Sequence, residues 1–212
     1  MHLIMFDIDG TLVESNDFDS ECYQAAIQDV LGALIHTDWD KYDHPTDSGI
    51  LNQVIDELHL QEDRDSIATS VKERFLHRIS THLTKHKASP IPGAPEFLAR
   101  LTARGDVKVA MATGGWLESA KLKLNAAAID FTGIPIASSS DHFSKIEIMK
   151  IAELRAGSNR YGSRTYFGDG SWDLKASEAL GYNFVLVGDR IEYDPSIPDF
   201  TSAGDTLAHF GV

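Results

Sequence analysis

Apolar positions along the chain fall into two alternating kinds of run. Short, largely apolar stretches at residues 2–6, 107–112, 165–167 and 184–187 each stop at small or acidic residues: Asp7, Thr113, Gly168-Asp169 and Gly188-Asp189. A brief unbroken run that delivers polar residues at its C-terminal end is the pattern of a strand buried on both faces of a parallel sheet. Over residues 96–104, 117–125, 146–155 and 174–180 the apolar residues instead recur three and four apart, which predicts helices with one buried face. Strands alternating with helices imply an α/β fold with a doubly wound, mostly parallel sheet.

Residues 15–87 read differently. Helical periodicity appears at 23–31, 50–58 and 67–83 with no convincing strand between, so this stretch is expected to be an inserted α-helical cap. The core is then expected to be residues 1–14 and 88–212. The chain returns to it through Ala88-Ser89-Pro90-Ile91-Pro92-Gly93, whose prolines and glycine suit a hinge, whereas the entry is less clearly marked.

Composition narrows the setting. The 212 residues are 42% hydrophobic and 24% charged, an ordinary globular balance. No apolar run approaches the roughly 20 residues of a membrane span, and residues 2–6 lead straight into acidic residues rather than forming a secretory signal. Cys22 stands alone and has no intrachain disulfide partner, which fits a reducing compartment; it reads as a buried or partly buried helix residue. A cytoplasmic protein is expected. The net charge of −13 argues against nucleic acid or anionic membrane as a partner. An acidic protein that binds an anion must concentrate positive charge locally. Oligomeric state is not legible.

Asp7-Ile8-Asp9-Gly10-Thr11 sets two carboxylates two residues apart at a strand end, where ligands of open parallel sheets bind; a plain acidic turn is the alternative. The stretch Phe6-Asp7-Ile8-Asp9-Gly10-Thr11-Leu12-Val13 resembles the first motif of the haloacid dehalogenase superfamily, in its phosphatase branch. That resemblance implies a Rossmann-like core, Asp7 as nucleophile and Asp9 as general acid and base. The chemistry stands on its own terms too: one carboxylate can take the phosphoryl group while the other protonates the leaving alcohol and later activates water.

Three further motifs follow in the family's order. Thr113-Gly114-Gly115 opens a helix and offers a hydroxyl and main-chain N–H groups to an anion, though threonine is also a common helix cap. Lys145 matches the third motif, with Ile146 where many relatives carry proline; Lys150 is the fallback. Gly168-Asp169-Gly170-Ser171-Trp172-Asp173 resembles the fourth. Asp7, Asp9, Asp169 and Asp173 gathered in one crevice would repel unless a cation intervened, and an all-oxygen donor set suits Mg2+. By resemblance Asp7 and Asp169 ligate through side chains and Asp9 through its main-chain carbonyl, with Asp173 as a ligand or supporting partner. Asp189 and Asp194 match no catalytic motif.

Within the cap, the turn at residues 44–49 either faces the site or caps the helix that follows. Lys72, Arg74, Arg78, His82 and Lys85 form a basic bias that is either a solvated face or a seat for a second anionic group. The expectation is magnesium-dependent hydrolysis of a small organic phosphate monoester through an aspartyl-phosphate. The alternatives are a phosphomutase acting on a sugar phosphate and a catalytically idle phosphate-binding protein.

Overall fold

The computed structural model describes residues 1–157 and 161–203, so the expected core stretches 158–160 and 204–212 lie outside the described residues. Six parallel strands, β1 (His2–Phe6), β2 (Val107–Ala112), β3 (Ile136–Ala137), β4 (Ser163–Gly168), β5 (Asn183–Val187) and β6 (Ser196–Ile197), lie in the order β3-β2-β1-β4-β5-β6. The first strand is therefore central, and the order reverses beside it, which puts the crevice for a ligand at its carboxyl end. Leu3 and Met5 face one side of the sheet, against Ile148, Met149 and Ala176. Ile4 and Phe6 face the other, against Phe97, Leu98 and Leu101. The period of two along β1 thus fills both cores at once.

Helices α1 (Asn16–Leu31), α2 (Asp47–Glu57) and α3 (Arg64–Lys85) precede the second strand; α4 (Ala94–Thr102), α5 (Leu117–Ala126), α6 (Lys145–Arg155) and α7 (Ser171–Leu180) alternate with the later strands. The doubly wound sheet with an inserted helical cap is as the periodicity implied. The differences lie at ends. Helix α7 starts three residues before its first apolar repeat, because Gly170 is its N-cap and the opening Ser171-Trp172-Asp173 carries no helical apolar spacing. The two-residue strands β3 and β6 leave no hydrophobic period to read.

The cap has its own apolar cluster of Tyr23, Ile27, Ile50, Val54, Val71 and Phe75, which Trp116 of the core completes. Its entry and exit run side by side: Glu14 N–H donates to Ser89 O and Ile91 N–H to Leu12 O, both at 2.9 Å. The unmarked entry is therefore half of a two-stranded ribbon whose partner is the proline-bearing return. Among the described residues no helix is long and apolar enough to cross a membrane.

Candidate active site

Asp7 follows β1 directly, and its N–H donates to Phe167 O at 2.8 Å, so the ladder between β1 and β4 continues one residue into the site. The buried Lys145, first residue of α6, places Nζ 2.8 Å from Asp7 Oδ1 and 3.0 Å from Asp173 Oδ1. Asp169 lies just past β4, and Asp173, with its main chain in the first turn of α7, receives Gly170 N–H at 3.4 Å. Carboxylate oxygens of Asp7, Asp169 and Asp173 all lie within 4.8 Å of one another. Two glycines permit this approach. A Cβ on Gly168 would strike the Asp173 carboxylate; Gly10, at φ 72°, leaves the space that the Asp169 carboxylate and Asn16 amide fill.

Burial governs the electrostatics. It pushes the Asp7 carboxyl up to about 7 against the opposing pull of Lys145, and neighbouring Asp173 adds to the rise. Asp169 is raised to about 6 by burial and then by Asp7, while Asn16 and Arg190 hold it back. Asp173 is raised by burial against the attraction of Lys145. Burial alone would lower Lys145, but Asp173 and Asp7 outweigh it and keep the ammonium charged.

Two oxygens mark where a cation fits. Asp169 Oδ1 is buried with no hydrogen-bond partner, its other oxygen being taken by Asn16 Nδ2 at 2.8 Å and Arg190 at 3.0 Å. Asp173 Oδ1 is buried too and is met only by the Lys145 ammonium at 3.0 Å, which it shares with Asp7. Unpaired buried carboxylate oxygens are costly. An all-oxygen cluster is the donor set of a hard divalent cation.

The Asp9 side chain stands outside that cluster. It accepts from Ser15 Oγ and forms an ion pair at 2.6 Å with Lys123, which has no exposed surface and pairs equally closely with Asp19 of α1. Burial works against the Lys123 charge, but Asp19 and Asp9 prevail and raise it. Burial also lifts the Asp19 carboxyl to about 6, against Lys123.

Thr113 is buried at the end of β2, and its Oγ1 accepts from Gly115 N–H at 3.1 Å. It is not the helix cap: Trp116 holds that position before α5. Nor are the first amides at the helix start free, for Trp116 N–H donates to Asp47 Oδ2 at 2.7 Å and Leu117 N–H to Ser140 Oγ at 3.2 Å. Gly114 O instead accepts from Asp47 N–H at 2.9 Å. In the cap turn Thr46 caps α2, accepting from Gly49 N–H at 3.0 Å, while Asp47 and Ser48 dock on the core. Trp116 Nε1–H donates to Ser48 Oγ at 2.9 Å.

A cavity of about 80 Å³ lies where these groups meet, lined by Asp7, Asp9, Thr113, Gly114, Lys145 and Asp169 from the core and by α1 and the cap turn above. Lys150 is exposed and pairs with Glu147, and Asp189 and Asp194 are exposed. The basic cap residues face elsewhere: Lys72 pairs with Glu118, Arg74 and Arg78 with Asp29, and Arg74, Arg78, His82 and Lys85 line a separate cavity. Burial pushes the Cys22 thiol up to about 11, which leaves it a poor nucleophile.

Asn16, Asp19, Lys123 and Arg190 carry no motif. Arg190 alone had a signal, since it follows β5 at the same carboxyl edge as the other site residues.

A family model described as haloacid dehalogenase-like hydrolase matches residues 4–187. No curated protein matches the chain significantly by sequence. Among solved structures, a hydrolase from Pseudomonas syringae is 20% identical with a TM-score of 0.77, over 99% of both chains. A β-phosphoglucomutase from Clostridium difficile is 14% identical at 0.75, over 99% of this chain and 96% of that one. CbbY from Rhodobacter sphaeroides, in complex with phosphate, is 16% identical at 0.71, over 95% and 96%. At these identities the likeness is one of fold.

Proposed function

The chain belongs to the haloacid dehalogenase-like hydrolases, and from that premise we propose that it hydrolyses a small phosphate monoester with the help of Mg2+. Asp7 is the nucleophile: its carboxylate attacks phosphorus, the ester oxygen departs, and an aspartyl-phosphate forms. Asp9 donates the proton that the departing alkoxide requires, then accepts one from the water that attacks the phosphoenzyme. Lys145, 2.8 Å from Asp7, orients the nucleophile and neutralises charge on the transferring phosphoryl oxygens. Thr113 and the Gly114 main chain hold the phosphate's outer oxygens. Asp7, Asp169 and Asp173 would hold the ion, together with the Asp9 carbonyl, and it would supply charge neutralisation for the incoming phosphate.

Residues 15–87 are taken as the cap and 1–14 with 88–212 as the core, so that the ribbon joining residues 12–14 to 89–91 serves as hinge. The observation that carries the reading is the unpaired Asp169 Oδ1, within 4.8 Å of carboxylate oxygens of Asp7 and Asp173, beside a nucleophile already paired with a buried lysine.

Purified protein should release inorganic phosphate from acetyl phosphate and from small alkyl phosphates when Mg2+ is present, and stop when it is chelated. Asp7→Asn should lower turnover by about 10³-fold or more. Turnover that survives that substitution would remove the assignment of Asp7.

A further inference from the structure

Five carboxylates wall the cavity, those of Asp7, Asp9, Asp19, Asp47 and Asp169; among the described residues only two cations do, Lys145 and Arg190. Both cations belong to the core and are committed at the phosphoryl end, Lys145 to Asp7 and Asp173 and Arg190 to Asp169. The cap, which covers the leaving group, contributes Asp19 and Asp47 beside Ser20, Tyr23 and Trp39, and no basic side chain. Of its basic residues, Lys72 is engaged with Glu118, Arg74 and Arg78 with Asp29, Arg64 with Asp56 and Lys41 with Asp38, while His82 and Lys85 face another cavity. Lys123 lies behind the wall with its charge held between two carboxylates. The space is also small, about 80 Å³.

Resting on the phosphatase reading, we propose that the substrate is a phosphate ester of a short alcohol bearing no second negative charge, its remaining polar groups being hydroxyl or ammonium. A carboxylate or second phosphate in the leaving group would lose water and meet the Asp19 carboxylate and the Asp47 carboxyl, which burial pushes well up, with no uncommitted cation in reach among the described residues, a selection against anions built into the cap. Hydroxyl and ammonium groups instead find oxygen acceptors there. The same wall disfavours a mutase cycle through a sugar bisphosphate, which needs a second anion seat.

Three esters of matched length separate the cases: 2-hydroxyethyl phosphate, 2-aminoethyl phosphate and phosphoglycolate. Phosphate release with Mg2+ gives kcat/KM for each, and competition against acetyl phosphate turnover gives an inhibition constant for any that is not cleaved. Phosphoglycolate should be at least tenfold poorer than the better of the other two on either measure, and Asp19→Asn, which also frees the Lys123 charge, should narrow the gap. Discrimination of less than tenfold in the wild-type protein overturns the proposal whatever the variant does. Hydrolysis of acetyl phosphate that depends on Asp7 keeps the phosphatase reading standing in that event; its absence ends both.

Discussion

Lys123 occupies a helix position where a lysine ordinarily reaches solvent, yet here it is sealed between Asp9 and Asp19. No local pattern announces this, because the two carboxylates come from a strand end and a cap helix more than a hundred residues earlier in the chain. The pair also ties the proton donor of the proposed reaction to the cap. Lys123→Met leaves two carboxylates without their cation, and breaking a buried pair in this way costs about 3–5 kcal/mol. Thermal melting should register that loss. If the lysine also positions Asp9, kcat/KM for 2-hydroxyethyl phosphate should fall about tenfold further than kcat/KM for acetyl phosphate, since an alkoxide needs a proton to leave and acetate does not. Equal losses on both substrates would mark the residue as structural only. By contrast Asp7, Thr113, Lys145 and Asp169 were legible, because each sits where an apolar run or a helix begins or ends.

The helices and strands themselves were readable wherever a repeat lasts two turns or four residues. What the pattern missed were β3 and β6, too short to repeat, and the cap's attachment. That attachment is a set of polar contacts between the N-terminal end of α2 and the loops after β2 and β3: Ser48 to Ser139 and Trp116, Thr46 to the Phe143 carbonyl at 2.7 Å, Asp47 to Trp116 and Gly114. In the sequence Thr46, Asp47 and Ser48 look like any helix start. Trp116→Phe keeps a ring against Tyr23 and Phe75 but removes the bond to Ser48. A net loss of about 0.5–1.5 kcal/mol of closure should raise KM about two- to tenfold with the far-ultraviolet spectrum unchanged, and Ser48→Ala should do the same. An unaltered KM in both variants would mean that these contacts do not govern closure.

For the molecule as a whole, acid concentrated at one crevice couples stability to pH and to metal. Asp7 and Asp169, at about 7 and 6, keep protons in the metal-free folded state that the unfolded chain loses near pH 4. The folded state binds more protons in that interval, so their contribution is fully present below pH 4 and is lost as pH rises through 6 to 7. Ligation needs these same carboxylates deprotonated, so the rise in Tm produced by millimolar Mg2+ should grow from pH 5 to pH 8. Melting curves with chelator and with Mg2+ across that range test it. A Mg2+ effect that shrinks with rising pH would contradict the placement of the ion.

Local chemistry wrote the strand ends, the helix faces, the inserted helical stretch and four of the motif positions into the sequence, because periodicity and turn preference act over a few neighbouring residues. Only the tertiary structure decided which of those groups meet, how deeply they are buried, and which lysine serves Asp7 and which Asp9. It also turned Asp19 and Asp47 of the cap toward the cavity and Lys72, Arg74 and Arg78 away from it. Those outcomes depend on packing between elements far apart in the chain, where desolvation and the nearest opposite charge, rather than sequence spacing, set the energy.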